Sequence, residues 1–281
     1  MATYNEESTV ALAIEEILAV SYPFDIELVV VDDGSTDATD TLLSKLDDDR
    51  LIIHRHPANQ GKGAALRTAA SLATGSHMLP FDADREYVPE DIPRVFEPVL
   101  KGRCSVVYGV RLFGCNTVYR SYRHAVGNRL LTGLANILFN AHISDLHTCL
   151  KLIPAPMIRD LNLNESGFGL DTEVTALLLR CGVRPFEVPV TYYARSHAQG
   201  KKITWRDAFE CVWILFRIRI RGRPDRASSG QAQERLGGYN GSHVPPGARQ
   251  ALVSRPMSRT VAAETSPDGG TGRTVTSSKY P

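Results

Sequence analysis

The sequence is almost without net charge. Its 32 lysines and arginines against 31 aspartates and glutamates leave a formal +1. No overall field draws it to nucleic acid or to an acidic partner, so electrostatic function must come from local clusters. Disulfide and zinc frameworks are missing as well. The five cysteines, Cys104, Cys115, Cys149, Cys181 and Cys211, are odd in number and form no C-x-x-C pair. That points to a reducing compartment and to thiols packed as small hydrophobes. No uninterrupted apolar run is long enough to span a bilayer. The opening, Met1-Ala2-Thr3-Tyr4-Asn5-Glu6-Glu7, is polar where a secretory signal is apolar. These absences predict a cytoplasmic protein, attached to a membrane at most peripherally. Internal repeats are absent too.

What is present is ordinary in bulk and ordered in detail. The 281 residues, 43% hydrophobic and 22% charged, suffice for one large domain or two small ones. Apolar residues at helical spacing predict a helix over Ser8–Val20, and the β-branched run Ile26–Val31 reads as a buried parallel strand. Helix follows over Thr36–Leu46, strand over Leu51–His54, helix over Gly61–Ala73, strand over Met78–Phe81, helix over Pro89–Leu100 and strand over Cys104–Tyr108. Strand and helix alternate as in a doubly wound α/β sheet, which binds ligands beyond the carboxyl ends of its strands. Further on, helices are predicted over Tyr122–Phe139, Asp171–Arg180 and Thr204–Arg221. From Pro224 to Pro281 periodicity vanishes into Ser, Gly, Pro, Arg and Thr, the composition of a disordered tail.

Two acidic clusters fall at predicted strand ends. Asp82-Ala83-Asp84 presents two carboxylates to a hard divalent cation, Mg²⁺ or Mn²⁺, which takes oxygen ligands and bridges to phosphates; a loop merely rich in aspartate is the plainer reading. Upstream, Asp32-Asp33-Gly34-Ser35-Thr36-Asp37 suits hydrogen bonding to a base or ribose; a turn in which Asp37 caps the next helix is the plainer alternative. Between them, Gly61-Lys62-Gly63 lacks the Walker spacing and reads as a phosphate loop or as a tight turn opening a helix. Arg111, Arg129, Arg195, Lys201 and Lys202 are candidate phosphate ligands, arginine matching phosphate geometry best; a solvated basic loop is the alternative. Asp145 and Lys151 order a nearby loop or form a structural ion pair. Trp205, Phe209, Val212, Trp213 and Phe216 lie on one helix, either interfacial or packed in the core.

Tyr4-Asn5-Glu6-Glu7, Val31 to Asp37, Asn59 to Gly63 and Asp82-Ala83-Asp84 with Pro89-Glu90-Asp91 together resemble the glycosyltransferase family 2. Gly109-Val110-Arg111, Gly127-Asn128-Arg129, Asp145 to Lys151, Phe168 with Glu173, and Tyr192 to Ile203 narrow the resemblance to its polyprenyl-phosphate branch. The resemblance implies a GT-A type fold: a doubly wound, mostly parallel sheet flanked by helices. It also implies a catalytic domain over 1–223, with a nucleotide-sugar half at 1–110 and an acceptor half at 111–223, before the tail at 224–281. The family starts with an apolar strand ahead of the Tyr-Asn-Glu segment, so a shortened first strand is expected here.

The implied activity is metal-dependent inverting transfer of a hexose from a UDP- or GDP-sugar to polyprenyl phosphate at a membrane surface. Tyr4, Glu6, Asp32, Asp33, Lys62 and Asp82 would surround the donor, and Asp82 and Asp84 the metal. Asp84, Arg195 and Glu173 are the expected catalytic residues. Transfer to a saccharide or small-molecule hydroxyl, with Glu173 as base, and a catalytically weak nucleotide-sugar-binding module are the alternatives.

Overall fold

A computed structural model describes residues 1–111, 116–118, 122–167, 169–194 and 205–220. Phe168, Arg195, Lys201, Lys202 and the predicted tail from 224 lie outside the described residues.

The first layer is a parallel ladder of β1 (Ala2–Thr3), β2 (Leu28–Asp32) and β3 (Leu51–Arg55), in that order. The unbroken apolar run of β2 has a simple cause, since helices cover both faces. Leu28 and Val30 point into a cluster with Val10, Ala13, Ile14 and Ile17 of α1 (Val10–Ala19) and Leu43 of α2 (Thr39–Leu43). Val29 and Val31 point the other way, onto Ala65 and Ala69 of α3 (Lys62–Leu72). Alternation along a strand produces this split. Alanines on α3 let its backbone approach the sheet closely. Each fully buried valine or leucine contributes on the order of 1.5–3 kcal/mol.

A second sheet runs in the order β4 (His77–Met78), β7 (Lys151–Pro154), β5 (Val107–Val110), β8 (Phe186–Pro189). Here β7 is antiparallel to both neighbours while β5 and β8 are parallel. A parallel bridge between Ala2 and Asp82 joins the two sheets through β1. The short first strand is thus present as two residues in register with Val31 and Asp32. A small parallel pair, β6 (Thr117–Val118) with β9 (Tyr192–Tyr193), is bridged to Tyr87 through Tyr192.

The predicted helix at Pro89 starts with a 3₁₀ turn, Pro89–Asp91, and continues as α4 (Ile92–Leu100). Three helices pack together beyond the second sheet: α5 (Tyr122–Phe139), α7 (Leu170–Arg180) and α8 (Trp205–Ile220). They share a core of Ala135, Phe139, Ala176, Leu179, Ile214, Leu215 and Ile218. The short α6 (Ala155–Asp160) follows β7 directly and carries Arg159, whose guanidinium donates to the carbonyls of Ala70 and Ala73 at the end of α3. Unread from the sequence were β6, β7, β8, β9 and α6, all six residues or fewer.

Candidate active site

Two loops at the carboxyl ends of β1 and β2 are laced together. Asn5, at φ +54°, accepts the Thr36 N–H at 2.8 Å on its side-chain oxygen, and its own N–H donates to Ser35 Oγ at 2.9 Å. The Glu6 N–H donates to Thr39 Oγ1 at 3.0 Å, and Glu7 Oε2 accepts the Ala38 N–H at 2.9 Å. Glu6 also accepts from Thr9 Oγ1, so it opens α1. Asp37 accepts the Thr39 N–H at 3.0 Å in the turn before α2, whose N-cap residue is Ala38. Tyr4 is exposed beside this junction.

Asp32 and Asp33 are both buried but differ in their partners. Asp33 is fully engaged: Oδ1 meets His56 Nδ1 at 2.7 Å and the Gln60 N–H at 3.0 Å, and Oδ2 accepts the Gly61 N–H at 2.7 Å. Asp32 Oδ1 accepts from Ser35, while Oδ2 has no hydrogen-bond partner and only Arg55 Nε, 3.5 Å away. Thr3 Oγ1, its register neighbour, is likewise buried without a partner.

The glycines around Lys62 are explained by packing. Gly61 sits at φ +93°, and a Cβ there would lie 2.3 Å from the Ser166 carbonyl oxygen; at Gly63 it would lie 2.1 Å from the Glu165 oxygen. The Gly63 N–H donates to Ser166 O at 2.8 Å. Because Asp33 and Ser166 take the N–H groups of residues 60, 61 and 63, this is a tight turn opening a helix. It is not an open cradle for phosphate.

Lys62 instead sends its side chain towards Asp82 and Asp171. Its Nζ lies 2.9 Å and 3.0 Å from the two oxygens of Asp82, and 4.0 Å from Asp171 Oδ2. Burial works to lower its pKa, yet Asp82, Cys149 and Asp171 outweigh that and hold it well above the ordinary lysine value. On the far side of Asp171 lies Lys151, buried, its ammonium 2.7 Å from Asp171 Oδ1 and 2.7 Å from the Thr148 carbonyl. Asp84 is half-buried and accepts the Glu86 N–H at 3.1 Å, two residues after Asp82. Between Asp84 and Glu86, Arg85 takes φ +58° and turns outward to pair with Glu16 of α1.

Among the described residues no three acidic, histidine or cysteine side chains converge as a metal cage. Asp82 and Asp84 supply two hard oxygen donors on one partly exposed turn. They fit a divalent ion whose other ligands come from phosphate and water.

Several of the expected site residues have internal partners. Asp145 and Lys151 do not pair with each other. Asp145 binds Arg111 in a fork, Nε to Oδ2 at 2.6 Å and Nη2 to Oδ1 at 2.8 Å, and accepts from Asn128 Nδ2 at 2.8 Å. Burial raises the Asp145 pKa, but the Arg111 charge and bonds prevail and hold it below the usual carboxylate range. Arg111, the expected phosphate ligand, is therefore an internal partner, its guanidinium also 5.0 Å from the Tyr192 ring centroid. Arg129 is exposed on α5. Glu173 is buried and accepts the N–H groups of Asn164 and Glu165 at 2.9 Å and 2.8 Å, with Arg217 at 3.6 Å. It anchors the loop that packs on Gly61 and Gly63.

Sequence reasoning missed Asp171, which it used only as a helix boundary, and His147. Burial keeps the His147 imidazole neutral, pushing its pKa down to about 4; its Nδ1 meets Asn128 Oδ1 and its Nε2 meets Thr172 Oγ1.

Comparison with known proteins places the family and the fold. The family model described as "Glycosyl transferase family 2" matches residues 1–161. A hexosyltransferase of low-salt glycan biosynthesis from Haloferax volcanii, Agl6, is 28% identical over 203 residues, 70% of this chain and 47% of that protein. A second relative from that organism, the glycosyltransferase AglJ, is covered over 61% of its length. The chain thus spans about half to three-fifths of these two relatives. A dodecaprenyl-phosphate galacturonate synthase from Rhizobium johnstonii is 27% identical over 231 residues, 79% of this chain and 67% of that protein. In fold, the chain is similar to glucosyl-3-phosphoglycerate synthase from Mycobacterium tuberculosis solved with UDP: TM-score 0.60, 18% identity, 80% of this chain and 79% of that one. The same enzyme solved with Mn²⁺, UDP and phosphoglyceric acid gives a TM-score of 0.57. The fold is of the GT-A type, and with more than half of its length matched the chain belongs to glycosyl transferase family 2.

Proposed function

We propose that the chain transfers a hexose from a UDP- or GDP-sugar to a polyprenyl phosphate, inverting the anomeric centre. One observation carries the donor half of this reading: two acidic strand ends flank β1. Ala2 pairs with Val31 on one side and Asp82 on the other, so Asp32 and Asp82 stand two strand spacings apart, roughly 10 Å. A nucleoside at Asp32 would lay its diphosphate towards Asp82 and Asp84. The unpartnered Asp32 Oδ2 and Thr3 Oγ1 favour a ligand N–H or O–H at the nucleoside end, since an unsatisfied buried acceptor costs about 1–3 kcal/mol. Tyr4 and Glu6 border that end. When bound at Asp82 and Asp84, Mg²⁺ or Mn²⁺ supplies positive charge that stabilises the departing diphosphate. The structural neighbours solved with Mn²⁺ and UDP-glucose support this chemistry.

The acceptor reading leans on the dodecaprenyl-phosphate relative. A phosphate monoester is ionised near neutral pH, its second pKa being about 6, so it attacks without a general base. That agrees with a Glu173 carboxylate engaged by two backbone N–H groups. Arg129, Arg195, Lys201 and Lys202 are the cations proposed to hold the phosphate. A lipid acceptor requires a membrane surface. No helix among the described residues is long and apolar enough to cross a bilayer. The exposed face of α8 offers peripheral contact instead: Phe209, Trp213, Phe216 and Ile220 are 68%, 66%, 39% and 77% exposed.

The test is transfer from radiolabelled UDP- and GDP-hexoses to polyprenyl phosphate, free sugars and small phosphates. Label entering only the lipid phase is expected, with Asp84→Asn lowering kcat about a hundredfold or more. Transfer to free sugars alone, or wild-type turnover by the variant, would overturn the reading.

A further inference from the structure

We infer that Lys62 is a resident cation of the acidic turn: it neutralises Asp82 in the ligand-free protein and moves to Asp171 when the donor and its divalent ion arrive. This deepens the proposed function and rests on its reading of Asp82 and Asp84.

The ammonium is centred on the Asp82 carboxylate, 2.9 Å and 3.0 Å from its two oxygens. That is where an ion held by both oxygens would sit. A second seat lies within reach. Asp171 Oδ2 is 4.0 Å from the same nitrogen, so a shift of about 1 Å brings it to contact distance. The side chains of Lys62, Asp82 and Asp171 are 26%, 25% and 22% exposed, whereas that of Lys151 is 2% exposed. The first three are within reach of solvent, and the fourth anchors Asp171 from behind through a 2.7 Å bond.

Only the side chain of Lys62 is at liberty to move. Its flanking glycines are pinned, Gly61 by Asp33 and Gly63 by Ser166, against a loop that leaves no room for a Cβ at either. A lysine is suited to the task, being a compact charge on a four-carbon stem with rotatable donors.

The charges give the arrangement a consequence. Asp82, Asp84 and Asp171 against Lys62 and Lys151 sum to −1, so the ligand-free cleft is nearly balanced. A divalent ion arriving alone meets the ammonium at close range and is repelled. An ion arriving with a nucleoside diphosphate brings more negative charge than it carries, and Lys62 can pass to Asp171. Metal and nucleotide are therefore expected to bind as a pair.

Manganese binding to the full chain, followed by electron paramagnetic resonance and calorimetry, tests this without measuring turnover. Wild type should bind Mn²⁺ at least tenfold more tightly with UDP than without. Lys62→Met keeps the apolar stem and should bind Mn²⁺ alone at least tenfold more tightly than wild type. Lys62→Arg should behave as wild type. Asp171→Asn leaves an oxygen for Lys151 but removes the second seat's charge, and should weaken Mn²⁺ binding in the presence of UDP severalfold.

Equal Mn²⁺ affinity in wild type and Lys62→Met, lost from both when Asp84→Asn is added, would overturn the inference while sparing the metal site. Mn²⁺ binding that survives Asp84→Asn in both would overturn the metal reading and this inference with it. A Lys62→Met protein that loses metal-free UDP affinity with Mn²⁺ affinity unchanged would make Lys62 a phosphate ligand and also overturn it.

Discussion

Asp32 and Asp33 are neighbours in the chain with different partners, and the sequence offered no way to separate them. Both read as strand-end carboxylates of one motif. The difference arises from contacts remote in sequence: His56, Gln60 and Gly61 fold back onto Asp33, leaving Asp32 with one oxygen that has no hydrogen bond. Glu173 shows the same limit. From position alone it was a base, a partner for a cation or a surface residue. In the fold it is buried and bonded to the N–H groups of Asn164 and Glu165, close to Arg217. Glu173→Gln keeps the shape but replaces a charged acceptor with a neutral one. It should lower unfolding free energy by about 2 kcal/mol in urea titrations. On folded protein, kcat should stay within about threefold of wild type and the pH–rate profile should not shift. A base would instead lose roughly a hundredfold or more and its limb of the profile.

The helix-by-helix pattern was legible because its signals are local. Apolar periodicity located α1, α3, α5, α7 and α8 to within a few residues. Short elements escaped it: β7 is four buried residues, Lys151 to Pro154, with no surface from which a period of two shows. For α8 the sequence left two readings, interfacial or core, and the structure has both faces. Cys211, Ile214, Leu215 and Ile218 are buried against α5 and α7. Phe209, Trp213, Phe216 and Ile220 form a second apolar row at helical spacing, and neighbouring α5 exposes Leu130 and Ile137. A helix with a core stripe needs no second one for packing. The two faces should respond differently to mutation. Phe209→Glu with Trp213→Glu should reduce co-sedimentation with anionic vesicles at least fivefold and leave the melting temperature within a few degrees. Ile214→Ala should cost about 2–4 kcal/mol of stability and leave the vesicle affinity of folded protein unchanged. Vesicle binding indifferent to the double substitution would remove the membrane role of this face.

Over the whole molecule, stability carries a pH signature to which two buried imidazoles contribute. His77 lies in β4 with its Nε2 buried and unpartnered, and burial pushes its pKa down to about 4. His147 joins Asn128 of α5 to Thr172 of α7 and is depressed to about 4 by the same cause. Unfolding lets each take up a proton at its ordinary value near 6.5. Between about 6.5 and about 4 the unfolded chain therefore binds more protons than the folded one, and stability falls as pH is lowered through that window. The slope is about 1.4 kcal/mol per pH unit for each histidine at full effect, so lowering the pH from 7.5 to 5 should cost about 2 kcal/mol apiece. Asp145 does not enter this range. Its pKa is held below the usual carboxylate value, so its contribution is complete above about pH 4 and disappears only below it. Urea unfolding at pH 7.5, 6 and 5 should show this loss, and His147→Gln should remove about 2 kcal/mol of it. Equal stability at pH 7.5 and pH 5 would mean that neither ring is held neutral, and the polar junction of α5, α7 and the Asp145 loop would need a different account.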